Sequence, residues 1–151
     1  MTGERNLLKL VDAAPQEGYR LQEQIGFVLR MAHQRHVAIF AAKIGDLTPP
    51  QFAALAKLAE VGETSQNQLG SLIAMDAATV KGVIDRLKAR GLVELAKHEA
   101  DRRRLLVSLT AHGRETIGRL TPQAEQITAE TLRPLSSREA STLLKLLARI
   151  A

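Results

Sequence analysis

The chain has no cysteine and no tryptophan, and only one tyrosine and three phenylalanines. Without thiols it forms neither a disulfide nor a thiolate metal site. Aromatic residues make up 3% against 45% hydrophobic residues in all, so the core must be built from leucine, alanine, valine and isoleucine. No apolar run approaches the roughly 20 residues of a membrane span. The N-terminus shows no apolar signal-peptide region, so a cytoplasmic location and no membrane partner are expected. A Gly-rich phosphate loop and a nucleophile motif are also missing. His33 and His36 stand at i, i+3, a spacing that suits a metal, but no third ligand lies nearby in sequence. Solvated or core histidines are the favoured reading. No catalytic residue, cofactor or metal is expected, and the enzyme reading is weak.

What is present is a basic chain of 151 residues with a net charge of +5, long enough for one domain with a real core. Residues 64–110 hold eight Lys/Arg against five Asp/Glu, which concentrates basic charge in one stretch and suggests an anionic partner. That stretch predicts helix, turn, helix and a two-stranded hairpin with a basic tip. Ser65 with Gln68 makes a capping box for a short first helix carrying Leu69 and Leu72. Ile73, Ala74 and Met75 form the turn, and Asp76 caps the second helix. Val80, Val83, Ile84 and Leu87 follow the spacing of one buried helical face, and Gly91 ends it. Gly70 lies where the two helices would cross. The second helix carries short or polar residues elsewhere, among them Ala77, Ala78, Thr79, Lys81 and Arg86. An α-helix of this kind fits the major groove of B-DNA.

After Gly91 the period changes. Residues 92–96 and 105–109 read as two strands, with Lys97, His98, Glu99, Ala100, Asp101, Arg102, Arg103 and Arg104 between them. A charge run is usually a solvated surface. At a hairpin tip behind a helix-turn-helix, a wing that enters a narrow minor groove is the better reading.

These residues carry a family resemblance. Leu47-Thr48-Pro49-Pro50-Gln51-Phe52, Thr79-Val80, Asp85-Arg86-Leu87, Arg90-Gly91-Leu92-Val93, Asp101-Arg102-Arg103 and Leu109-Thr110-Ala111-His112-Gly113-Arg114 resemble the MarR family of bacterial winged-helix transcriptional regulators. The resemblance covers about residues 21–151; the first twenty residues have no clear counterpart. It implies that the second helix of the motif is the recognition helix and that Arg103 is the wing arginine. It also implies that terminal helices interleave into a twofold dimer, and that many relatives respond to small aromatic acids. The absence of cysteine removes the peroxide sensing of one branch of that family.

The remaining sequence fits this frame. Residues 1–18 read as an arm in which Leu7 and Leu8 can dock on a partner subunit. A long helix is predicted over 19–44 and ended by Gly45. A second is capped by Thr48, with Pro49 at its first position and Phe52, Leu55, Ala56, Leu58 and Ala59 on its buried side. Thr110 caps a helix over 111–132 that Pro122 should kink or break. Ser136 and Glu139 form a capping box for a last helix whose Leu143, Leu144, Leu147 and Ile150 are too apolar for a thin monomer and call for a second subunit.

The expected architecture is mainly α with a small β-hairpin wing. Residues 1–46 form the arm and long dimerisation helix, 47–110 the winged helix-turn-helix, and 111–151 the C-terminal dimerisation helices of one intertwined domain. The expected function is a homodimeric repressor on a pseudo-palindromic operator in double-stranded DNA, released by a small aromatic acid or related conjugate. The DNA-contacting residues would be Ser65, Gln66, Ala77, Ala78, Thr79, Lys81, Arg86, Arg102, Arg103 and Arg104. Asp101 would orient the wing by pairing with Arg103 or Arg86. His36, Phe40 and Phe52 are candidate effector contacts, although core packing is the better reading for both phenylalanines. A ligand-independent architectural DNA-binding dimer is the main alternative; a winged helix that binds a protein partner instead of DNA is disfavoured by the basic wing.

Overall fold

A computed structural model describes residues 18–151. The N-terminal arm, with Leu7 and Leu8, lies outside the described residues. The chain divides between His36 and Val37 into two units, and the division falls inside a helix. In the first unit a 3₁₀ turn, Leu21–Glu23, precedes helix α1, Ile25–Lys43. The helix therefore starts six residues later than the apolar pattern predicts. Arg20 offers no side-chain cap, and Gln24 adopts extended backbone between the turn and the helix.

The second unit holds the core. Helix α2, Pro49–Val61, begins with a full capping box. Thr48 Oγ1 accepts from the Gln51 N–H, and Gln51 Oε1 accepts from the Thr48 N–H. Gly62, at φ +78°, ends it. Ala54, Leu55 and Leu58 are its buried centre. Ala59 is exposed, against expectation: it stands one turn beyond Leu55 at the edge of the buried side, close to the end of the helix.

Strand β1, Thr64–Ser65, leads into α3, Gln66–Leu72, and α4, Ala77–Ala89. Strands β2, Val93–Lys97, and β3, Leu105–Leu109, form the hairpin. The sheet has three antiparallel strands in the order β1-β3-β2, with Thr64 opposite Val107 and Val93 opposite Leu109. The expected sheet had two strands. At two residues β1 is too short to display a period of its own; its partner β3 defines it.

The core joins α2, α3, α4 and the sheet through Leu55, Leu69, Ile84, Leu87, Leu92 and Val107, each at most 1% exposed. Burying each such side chain stabilises the fold by about 1.5–3 kcal/mol.

Helix α5 spans Ala111–Thr131 without a break and contains Pro122. The expected break does not occur. Pro122 and Gly118, whose carbonyl loses its helical partner, are both on the exposed side. Water can serve that oxygen, so the helix continues past the ring. Thr121 also returns its hydroxyl to the Ile117 carbonyl at 2.7 Å. Helix α6, Ser137–Ile150, starts with the predicted Ser136–Glu139 capping box, and none of its residues is buried.

The two glycines of α5 make opposite demands. A Cβ on Gly113 would stand 2.0 Å from the Leu92 carbonyl oxygen, while one on Gly118 would meet nothing within 4 Å. Gly113→Ala should therefore destabilise by at least about 2 kcal/mol. Gly118→Ala should stabilise by up to about 1 kcal/mol, as expected for an exposed helix interior. Urea unfolding at one fixed protein concentration checks this. A Gly113→Ala protein as stable as the wild type contradicts the packing described.

Candidate nucleic-acid interface

Helix α3 is capped by Ser65, whose Oγ accepts from the Gln68 N–H at 3.1 Å. The reciprocal half of the expected capping box is not formed. Ser65 is also the last residue of β1, paired with Leu106, and it is 7% exposed. At its other end α3 closes on two main-chain bonds, Met75 N–H to Gly70 O at 2.8 Å and Ala74 N–H to Ser71 O at 3.3 Å. This is a Schellman motif with Ala74 in the left-handed region at φ +56°. No glycine marks it in the sequence. Helix α4 ends on the same pattern, Leu92 N–H to Leu87 O and Gly91 N–H to Lys88 O, here with Gly91 at φ +72°.

Gly70 sits where sequence reasoning puts it. A Cβ there would lie 3.0 Å from the Met75 carbonyl oxygen and 3.2 Å from Val80 Cγ1.

Asp76 caps α4, its Oδ1 accepting from the Thr79 N–H at 2.7 Å. The main-chain and hydroxyl hydrogen bonds of Thr79 hold this carboxyl below its ordinary range. Val80, Val83, Ile84 and Leu87 are buried and fix the helix against the core. Ala77, Ala78, Thr79, Lys81 and Arg86 are all exposed on its other sides. Lys81 pairs with Asp85 at 2.7 Å. The Arg86 Nη1 lies 3.7 Å from where a Cβ on Gly82 would stand, so its side chain lies along the helix. The end of α4 is tied to the loop between α1 and α2. Arg90 donates to the Asp46 carbonyl and pairs with its carboxylate at 3.5 Å.

In the wing loop, His98 N–H bonds to Arg104 O at 3.0 Å and Arg104 N–H to Asp101 O at 3.0 Å. The ion pair of Asp101 with Arg103 or Arg86 that the sequence suggests is not formed among the described residues. The Asp101 Oδ1 instead accepts from the Arg103 main-chain N–H at 3.1 Å. A short acidic side chain at a turn reaches its own backbone more readily than a long, solvated guanidinium. Arg102, Arg103 and Arg104 are exposed. Between the start of α3 and the base of the wing lies a cleft of about 300 Å³, lined by Gln66, Asn67, Gln68, Arg103 and Arg104 among others. Two arginines and three residues with side-chain amides thus border one cleft.

Phe40 and Phe52 pack edge to face, with ring centroids 6.1 Å apart at 72°. Phe40 is buried and Phe52 partly so, so both rings serve packing. His36 is half-buried on α1. On α6, Leu143, Leu144, Leu146 and Ile150 are 37–67% exposed, and Leu147 is half-buried. The role of His98 at the wing tip was missed in the sequence. Its only signal is that imidazole Nδ1 sits as far along the side chain as the acceptor oxygen of a turn-forming asparagine.

A capped helix that buries one side and exposes short polar residues on the other, next to a basic wing, is the layout of a winged helix-turn-helix DNA-binding regulator. The comparisons agree. A model described as MarR family matches residues 45–104. The chain is 40% identical over 134 residues to the HTH-type transcriptional repressor NicR of Pseudomonas putida, covering 87% of this chain and 85% of that one. Among solved structures, it is similar to BpsR of Bordetella bronchiseptica, whose DNA binding is regulated by 6-hydroxynicotinic acid. The identity is 43%, coverage is 88% and 96%, and the TM-score is 0.84. A probable transcriptional regulator from Pseudomonas aeruginosa is 53% identical over 87% of this chain and 100% of that one, with a TM-score of 0.83. The chain belongs to the MarR family. It is a transcriptional repressor of that family rather than an enzyme. No helix among the described residues is long and apolar enough to cross a membrane.

The Asp76 cap gives a pH signature. Its folded-state pKa lies below the 3.8 of an unperturbed aspartate. Its stabilisation is thus fully present above that value and is lost as pH falls through the lower folded one. Asp76→Asn keeps an acceptor that does not titrate. The stability difference between wild type and Asp76→Asn should be constant down to about pH 5 and shift in favour of the variant below about pH 3.5. A difference independent of pH contradicts the cap.

Proposed function

We propose that this protein is a cytoplasmic, dimeric repressor that places α4 and the wing of each subunit on the half-sites of a pseudo-palindromic operator. We further propose that a small aromatic acid of the hydroxylated pyridine carboxylate type releases it. The observation that carries the reading is α4 itself: its apolar side is wholly buried while Ala77, Ala78, Thr79, Lys81 and Arg86 are exposed. The small N-terminal residues allow close approach to base edges. Thr79, Lys81 and Arg86 supply donors for bases or phosphates. Gln66, Arg103 and Arg104 border a cleft suited to a backbone phosphate, Arg102 and Arg103 reach for the minor groove, and Asp101 orients the wing through its main-chain bond.

Dimerisation is supported by the apolar residues left uncovered on α6 and, separately, by the exposed Ile25, Val28, Leu29 and Met31 of α1. A second copy covers both. The wild type should sediment as a dimer at micromolar concentration, and Leu144→Glu with Leu147→Glu as monomer. A wild-type monomer contradicts the proposal.

The effector class is supported by BpsR and its 6-hydroxynicotinic acid. It is also supported by a cleft of about 480 Å³ between the end of α2, β3 and the start of α5. Leu58, Leu109 and Ile117 give this cleft an apolar floor, and Arg114 offers a guanidinium for a carboxylate. An effector acts only if it prefers a conformation that no longer fits both half-sites. Titration of the DNA upstream of the protein's own gene, with and without 6-hydroxynicotinic acid, nicotinic acid and benzoate, tests this. One of the acids should weaken binding by about tenfold, and Arg114→Gln should bind equally well without responding. Tight binding that none of the acids weakens contradicts this effector class and favours the ligand-independent architectural dimer.

A further inference from the structure

The wing tip is organised by one side chain. The Nδ1 of His98 accepts from the N–H of Ala100 and from the N–H of Asp101, each at 3.1 Å. The His98 main-chain N–H closes the loop on Arg104 O at 3.0 Å. A ring nitrogen that accepts carries no proton, so the imidazole is neutral with its hydrogen on Nε2. Two successive amides converge on that lone pair, and the next residues carry Arg102, Arg103 and Arg104. The loop is exposed, so losing these bonds would leave the two amides to water and cost the fold little. What it would lose is a single direction for the three arginines.

We propose that His98 is a positioning residue for operator recognition: its unprotonated Nδ1 holds the wing tip in the shape that presents Arg102–Arg104, and a proton on that nitrogen releases the tip. This rests on the reading of the wing as a DNA-contacting device.

The charged residues flanking His98 in the hairpin are Lys97, Glu99, Asp101, Arg102, Arg103 and Arg104. Helix α3, across the cleft from Arg103 and Arg104, carries no charged side chain. Asparagine places Oδ1 where histidine places Nδ1, accepts the same two hydrogen bonds and does not titrate. It therefore separates the acceptor from the charge. A protonated imidazole would add a positive charge near DNA and, by charge alone, tighten binding. The acceptor role requires the opposite sign for operator DNA.

The test titrates operator and unrelated DNA into wild type, His98→Ala, His98→Asn and Arg103→Ala at about pH 7.5 and about pH 5.5, the range over which imidazoles charge. His98→Ala should lose about tenfold in operator affinity at the higher pH, with an unchanged melting temperature. His98→Asn should stay within about twofold of wild type. On acidification wild type should lose operator affinity relative to unrelated DNA, while His98→Asn should not. An unimpaired His98→Ala, a His98→Asn as weak as His98→Ala, or parallel pH profiles for wild type and His98→Asn would each overturn the proposal. If Arg103→Ala binds operator as well as wild type, the wing reading itself fails. If Arg103→Ala is weak and His98→Ala is not, only the role of His98 fails.

Discussion

The carbonyl of Leu92 is the point on which α4 and the wing are assembled together. Its oxygen accepts from the Thr110 N–H at 3.1 Å and lies so close to Gly113 that no Cβ fits between them. Thr110 does two further things. Its hydroxyl donates to Gly91 O at 2.6 Å, accepts from the Gly113 N–H at 3.0 Å, and so caps α5. The end of α4, the start of β2, the end of β3 and the first turn of α5 therefore meet within a few residues. Gly91 supplies the left-handed turn that brings the chain out of α4 into this junction. The consequence is mechanical. The wing cannot swing relative to α4 without breaking these hydrogen bonds at its root.

Much of this was legible in the sequence because capping and periodicity are local. Thr48, Ser65, Asp76, Thr110 and Ser136 announce five helix starts, and the structure has all five. Val80, Val83, Ile84 and Leu87 announce the buried side of α4. The motifs Arg90-Gly91-Leu92-Val93 and Leu109-Thr110-x-x-Gly113 were visible separately. That they are two halves of one joint was not, because nothing local says that a glycine is needed for a carbonyl some twenty positions away.

The misses have the same origin. Strand β1 exists only through its partner, Ala74 adopts a conformation that its side chain does not advertise, and Pro122 is tolerated because of the side of α5 it happens to occupy. In the sequence Asp101 reads as one half of an ion pair and His98 as one more residue of the wing run. In the folded chain each acts as a main-chain acceptor.

Magnitudes separate the parts that hold the fold from those free to engage a partner. The buried leucines and isoleucines of the core each contribute about 1.5–3 kcal/mol. The Lys81–Asp85 pair is exposed on both sides, 66% and 53%, and an i, i+4 pair of this kind contributes about 0.3–0.5 kcal/mol. Lys81 can thus exchange its carboxylate for DNA at almost no cost. The same reasoning applies to Arg86, Arg102 and Arg103, none of which is needed for the core. The wing arginines and the exposed side of α4 are spare in the stability of the described chain, as the apolar residues of α6 are; each set is free to meet a surface outside it.

Hydroxyl-radical footprinting on the operator tests the central claim most directly, because it reads the spacing of grooves covered on each strand. Two equivalent protected segments should appear, related by a twofold axis, with half-site centres about 10 bp apart or a multiple of that. Each should be flanked by a minor-groove protection that disappears in Arg103→Ala. A single unpaired segment, or a footprint unchanged by loss of Arg103, contradicts a dimer that reads DNA with helix and wing together.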